Sequence, residues 1–142
     1  MTKSILTDTC FWLGLLSEND QHYEESHKLK SVIENQILIF PFPCFYEIVR
    51  TKFVKDKIKL DRFETFLKTL NIKYVDDTLY KDIALEKVYA LNKKPYITHS
   101  LADAVIREMI SDINLRMDYF ITYNEKDFAD LCDKRGVEIL RQ

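Results

Sequence analysis

The segment Ser4-Ile5-Leu6-Thr7-Asp8-Thr9-Cys10-Phe11-Trp12-Leu13 begins as a short apolar run, ends that run on a carboxylate, and then turns helical. A buried strand that delivers an acid at its carboxyl end, followed by a helix, is how open α/β sheets build their sites. The same order recurs along the chain. Ile37-Leu38-Ile39-Phe40 reads as a second buried strand, closed by Pro41 and Pro43. From Phe42 to about Val54 the spacing is helical, with Phe45, Ile48, Val49 and Phe53 at i, i+3, i+4 and i+8. Asp118 to Thr122 is a further strand, followed by a loop at Tyr123-Asn124 and a short helix from about Glu125 to Asp133.

The remaining elements fit between these. After Thr9 to Ser17, Asn19 or Asp20 can cap a helix running to about Asn35. Asp61 or a neighbour opens a helix striped by Phe63, Phe66, Leu67 and Leu70, and Ile72 to Val75 is a third strand. Thr78 can cap a helix from Leu79 to about Asn92, and Ser100 one from Leu101 to about Asp112. Gly136 supplies a turn into a last strand, Val137 to Leu140. Strands alternating with helices predict a three-layer α/β/α fold, doubly wound, with a central and mainly parallel sheet of four to five strands. A length of 142 residues fits one domain spanning 1–142.

Composition narrows the chemistry. With only 2 Gly the chain cannot build Gly-rich phosphate loops, and no Gly-x-Gly-x-x-Gly marks a dinucleotide site. A net charge of -2 gives no global basic field for nucleic acid, so phosphate contacts would come from a local cluster. Arg50, Lys52, Lys55, Lys57 and Lys59 form the densest one, and Arg50 and Lys52 are the candidate phosphate contacts. A charge run is also the ordinary make-up of a solvated face. Cys10, Cys44 and Cys132 are odd in number and widely spaced, which reads as a reduced, cytoplasmic protein without a disulfide framework. No apolar run approaches a membrane span.

Four acids stand at the ends or starts of these elements. Asp8, taken alone, reads as a helix N-cap or as a metal ligand, and Glu47 as a solvated helix residue or as a group at the same sheet edge as Asp8. Asp103 sits among small and apolar residues in Leu101-Ala102-Asp103-Ala104-Val105-Ile106, where an unpaired charge is costly; with Ser100 available as cap, a functional role is the stronger reading. Asp127 is the third helical position after Asn124 or a further ligand. In a doubly wound sheet all four fall at one edge. Four carboxylates sharing a small pocket need a cation, and hard oxygen donors suit Mg²⁺ or Mn²⁺.

Together, Leu6-Thr7-Asp8-Thr9, Tyr46-Glu47-Ile48, Leu101 to Ile106 and Thr122-Tyr123-Asn124-Glu125-Lys126-Asp127-Phe128 resemble the motifs of the PIN-domain ribonucleases, including the VapC toxins, over essentially the whole chain. The resemblance implies a metal-dependent endoribonuclease with Asp8, Glu47, Asp103 and Asp127 as catalytic and metal-binding acids. It implies Thr9, Thr122 and Asn124 as supporting polar residues. It also implies an RNA substrate, a homodimer and a cognate antitoxin. A non-catalytic PIN-like module binding RNA or protein, and a nuclease acting on DNA, are the competing readings.

Other chemistries fit less well. A haloacid-dehalogenase-like phosphatase needs a second Asp where Cys10 stands, and a receiver domain needs adjacent acids at the first strand. His22 and His27 are five apart and do not share a helix face, which argues against zinc. His99 is expected in a loop near the mouth of the site.

Overall fold

In the computed structural model, which describes residues 1–141, β1 (Ser4–Thr7), β2 (Ile37–Pro41), β3 (Ile72–Val75), β4 (Tyr119–Ile121) and β5 (Glu138–Ile139) form a five-stranded sheet in the order β3-β2-β1-β4-β5. Every pairing is parallel. Strand β1 is central: Leu6 lies in register with Ile39 on one side and Phe120 on the other, and all four of its residues are buried. The chain steps outward from β1 to β3, then returns to the far side of β1 for β4 and β5. The order therefore reverses between β1 and β4, and ligand crevices of doubly wound sheets open at the carboxyl ends of such a pair.

Helices α1 (Thr9–Leu16), α2 (Tyr23–Ile33), α3 (Pro43–Ile48), α4 (Thr51–Lys55) and α5 (Lys57–Thr69) belong to the outward crossovers. The return carries α6 (Lys81–Leu91), α7 (Leu101–Ser111) and α8 (Ala129–Arg135). Right-handed crossovers place these two groups on opposite faces of the sheet. The packing agrees, because α1 meets α2 and α5 while α7 meets α6 and α8. Trp12 anchors the first layer. Its indole N–H donates to Thr7 Oγ1 at 2.9 Å, and that hydroxyl donates to the Ile39 carbonyl at 2.8 Å, so the polar atoms of a fully buried ring and strand end are satisfied. No described helix is long and apolar enough to cross a membrane.

Element boundaries depart from the sequence reading in five places. Helix α2 begins at Tyr23 rather than directly after an Asn19 or Asp20 cap, because Asp20 Oδ1 accepts from His22 N at 2.8 Å in a turn ahead of the helix. The helix expected over Phe42 to Val54 is broken: Val49 (φ -87°, ψ 60°) and the extended Arg50 separate α3 from α4. The break still lets Phe53 reach Phe63, with ring centroids 6.0 Å apart. Helix α5 starts ahead of Asp61 because Asp56 Oδ1 caps it, accepting from Lys59 N at 3.1 Å. Thr78 caps nothing. Its N–H and hydroxyl both turn back to Asp76 Oδ1, and α6 begins only at Lys81. The helix expected from Glu125 is a 3₁₀ turn (Glu125–Asp127) followed by α8, which ends on Gly136 in the left-handed region at φ 72°.

Candidate active site

Asp8 is the first residue past β1 and the N-cap of α1, so the capping and site readings of this residue describe one arrangement. It is only 4% exposed. Its Oδ1 accepts from the Thr9 N–H at 2.8 Å, and its Oδ2 accepts from the Thr122 hydroxyl at 2.8 Å. Thr122 is the first residue past β4, and its Oγ1 accepts in turn from the Asn124 N–H at 3.1 Å. The two strands of the switch point are thereby tied together by side chains at their carboxyl ends.

Glu47 reaches the same place from α3. Its Oε1 accepts from the Thr9 hydroxyl at 2.6 Å, so Thr9 engages Asp8 through its backbone and Glu47 through its side chain. Asp103 arrives from the first turn of α7. The sequence reading gave the cap of that helix to Ser100 alone. In the structure the two residues share it, with Asp103 N donating to Ser100 Oγ and Ser100 N donating to Asp103 Oδ2, each at 3.0 Å. The capping box holds Asp103 in place without consuming its second carboxylate oxygen.

Asp8, Glu47 and Asp103 line one cavity of about 300 Å³, together with Thr9, Cys10 and Asn124. Burial pushes the Asp8 carboxyl up to about 6, reinforced by the charges of Asp103 and Glu47 and opposed by the hydrogen bonds from Thr122 and Thr9. Glu47 is raised as well, first by burial and then by Asp103, against the Thr9 hydrogen bond and the Arg50 charge. Buried acids that also raise one another are undercompensated in charge, and a bound divalent cation would offset them.

Asp127 takes a different position. It lines the adjoining cleft with His99, Arg107 and Lys126, and it joins the other acids through Asp103: His99, Asp103 and Asp127 each offer a ligand atom within 4.8 Å of the others. The Asn124 side chain makes no capping hydrogen bond and faces the Asp8 cavity. Arg50 lines a groove beside Glu47, whereas Lys52 sits on α4, a helix with no buried residue.

One member of the neighbourhood carried no clear signal in the sequence. Cys10 places its thiol 3.6 Å from Asp8 Oδ2 and accepts from the Tyr123 N–H at 3.4 Å. Burial and the Asp8 charge push that thiol well above its ordinary value, so it acts as a protonated donor. The only hint was its place two residues after Asp8 at the start of a helix. His99, expected in a loop near the mouth of the site, does lie there: it is grouped with Asp103 and Asp127, four residues ahead of the former.

No protein-family profile matches the chain, and no curated protein matches it in sequence. Solved structures do. VapC20 of Mycobacterium tuberculosis, a sarcin-ricin loop cleaving toxin, superposes with a TM-score of 0.71 at 12% identity, covering 97% of this chain and 99% of that one. VapBC2 from Rickettsia felis, bound to a DNA fragment from its promoter, gives a TM-score of 0.59 at 12% identity, covering 98% of each chain. The chain has the three-layer fold of the VapC-like PIN domains.

Proposed function

We propose that this protein is a divalent-metal-dependent endoribonuclease that hydrolyses RNA phosphodiester bonds at the Asp8–Glu47–Asp103 cavity. The observation that carries the reading is the convergence of three carboxylates from β1, α3 and α7 at the switch point of the sheet. Their donor set fits Mg²⁺ or Mn²⁺: hard oxygens and a raised Asp8 proton affinity, with Arg50 as a nearby cation beside Glu47. Bound there, such an ion would supply Lewis acidity to the scissile phosphate and its attacking water.

The side chains divide the remaining work. Asp8 and Asp103 are the principal ligands. Glu47, fixed by Thr9, is a further ligand or the base that orients water, and Asp127 is a supporting ligand reached through Asp103. Thr122 fixes the Asp8 carboxylate through its Oδ2, and Asn124 borders the space that substrate would enter. Arg50, beside Glu47, is the nearer phosphate contact, and Lys52 extends the basic face outward. The likeness to VapC20, a sarcin-ricin loop cleaving toxin, supports RNA as substrate, and the likeness to VapBC2 supports a cognate antitoxin as partner. A homodimer belongs to the same reading. Asp103→Asn should abolish metal-dependent RNA cleavage while circular dichroism stays that of the wild type; full activity in that variant would remove the assignment.

A further inference from the structure

Beside the acid cavity lies a groove of about 530 Å³, walled by α3 and α7. Thr9, Leu13, Glu47 and Ser100 line both, so the groove opens directly onto the candidate active site. Its walls are of a different make-up. Pro43 and Tyr46 come from α3 and Leu101 from α7, and two of these side chains stay open to solvent, Tyr46 at 71% and Leu101 at 46% exposure. The Tyr46 ring meets Phe42 edge to face, with centroids 5.6 Å apart. Open apolar surface in a concave site next to convergent polar groups is the usual make-up of a ligand pocket.

The charges say which ligand. Arg50, the extended residue at the break between α3 and α4, lines the groove with Lys81, the first residue of α6. Neither comes within ion-pair distance of a carboxylate among the described residues. An aromatic platform with unpaired cations is the combination that takes single-stranded nucleic acid, because every base has a face to stack and the cations follow the phosphates. Asp77, on the same groove, offers an acceptor for a base amino group. Apolar walls alone would suit a peptide; the two unpaired cations and the direct opening onto the acids favour the strand being cut.

Resting on the nuclease reading, we propose that this groove is a nucleoside subsite. It takes one unpaired base of the RNA next to the scissile phosphate, stacked on Tyr46 against Leu101, with Arg50 and Lys81 on neighbouring phosphates. A base inside a duplex cannot present its face to Tyr46, so the groove selects single-stranded stretches.

The test follows the fluorescence of a single-stranded oligoribonucleotide carrying 2-aminopurine. It is titrated with wild type in EDTA and with Asp8→Asn in Mg²⁺, neither of which cuts on the account above. The base should be quenched as it stacks. Tyr46→Ala, at an exposed position that folding tolerates, should lose the quench and bind at least about fivefold more weakly, while Tyr46→Phe keeps both. Arg50→Gln and Lys81→Gln should each lower the slope of log affinity against log salt by about 0.7, which Tyr46→Ala leaves unchanged. A strand with abasic sites should bind wild type and Tyr46→Ala alike. Binding indifferent to Tyr46→Ala would overturn the subsite and spare the nuclease reading, whereas Tyr46-dependent stacking without any RNA cleavage would uphold the groove as a base site and overturn the nuclease reading. Absence of quenching in both titrations would also overturn the subsite, as would a Tyr46-dependent dimer in sedimentation that excludes the strand, which would give the groove to a second copy of the chain.

Discussion

Thr122 and Asp8 lie 114 residues apart in sequence and meet in a buried 2.8 Å hydrogen bond, hydroxyl to carboxylate. It joins the ends of β4 and β1 at the point where the strand order reverses, and it is the largest influence opposing the raised proton affinity of Asp8. Thr122→Val keeps the shape and removes the donor. The expected result is a loss of metal affinity of about 10- to 100-fold, the usual size of an effect transmitted through a ligand's hydrogen-bond partner. The acidic limb of the cleavage profile should also move to higher pH. Unchanged affinity and profile would mean that the bond does not orient Asp8.

Thr9 connects the other pair, with its N–H on Asp8 and its hydroxyl on Glu47. Thr9→Val keeps the first bond and deletes the second. Cleavage should fall by about tenfold or more, and Thr9→Ser, which restores the hydroxyl, should recover most of it. Equal activity in the Val and Ser variants would show that Glu47 needs no anchor.

Stability should carry the signature of the buried acid. Asp8 holds its proton to about pH 6 in the folded chain, against an ordinary value of 3.8. The native state therefore binds more protons than the unfolded state between those values, and stability falls as pH rises through that window. The penalty is absent below it and reaches about 3 kcal/mol above it in the metal-free protein. Asp8→Asn should raise the metal-free melting temperature by several degrees at about pH 7.5 and change little at about pH 3.5. Saturating Mn²⁺ at the higher pH should stabilise wild type more than the variant. A destabilised Asp8→Asn protein at neutral pH would contradict the picture of an uncompensated charge.

Gly14 permits the close approach of α1 and α2. A Cβ there would overlap Ser26 Oγ and press on the His22 carbonyl. Ser26 Oγ is hydrogen-bonded to Tyr123 OH at 2.6 Å, so the overlap would be felt one residue from Thr122. Gly14→Ala should destabilise by about 1–3 kcal/mol despite the better helix propensity of alanine. Denaturant unfolding checks this, and a stabilised variant would show that the helices can separate at no cost.

The parts of this architecture that rest on pattern are readable in the sequence. Ser4 to Asp8 and Ile37 to Phe40 show their burial as unbroken apolar runs, and parallel crossovers then leave few places for their carboxyl ends to go. The convergence of Asp8, Glu47 and Asp103 on one cavity was legible for that reason. What escaped depends on single backbone conformations and on hydrogen bonds distant in sequence. Helical spacing through Ile48 and Val49 carries no mark that Val49 and Arg50 leave the helix. Asp56, Asp61 and Thr78 are equally good caps by residue type, and only the geometry around Lys59 and Asp76 chooses among them. His99 is fixed by an asparagine seven residues earlier, a pairing that no periodicity announces.

The central claim is tested most directly by incubating the purified protein with a pool of structured and single-stranded RNA in Mn²⁺, in Mg²⁺ and in EDTA, with Asp8→Asn prepared in parallel. The account predicts discrete cleavage products with a divalent ion, none in EDTA and none from the variant. Cleavage that persists in EDTA or in Asp8→Asn, or RNA left intact by a wild-type protein shown to bind the metal, would contradict it.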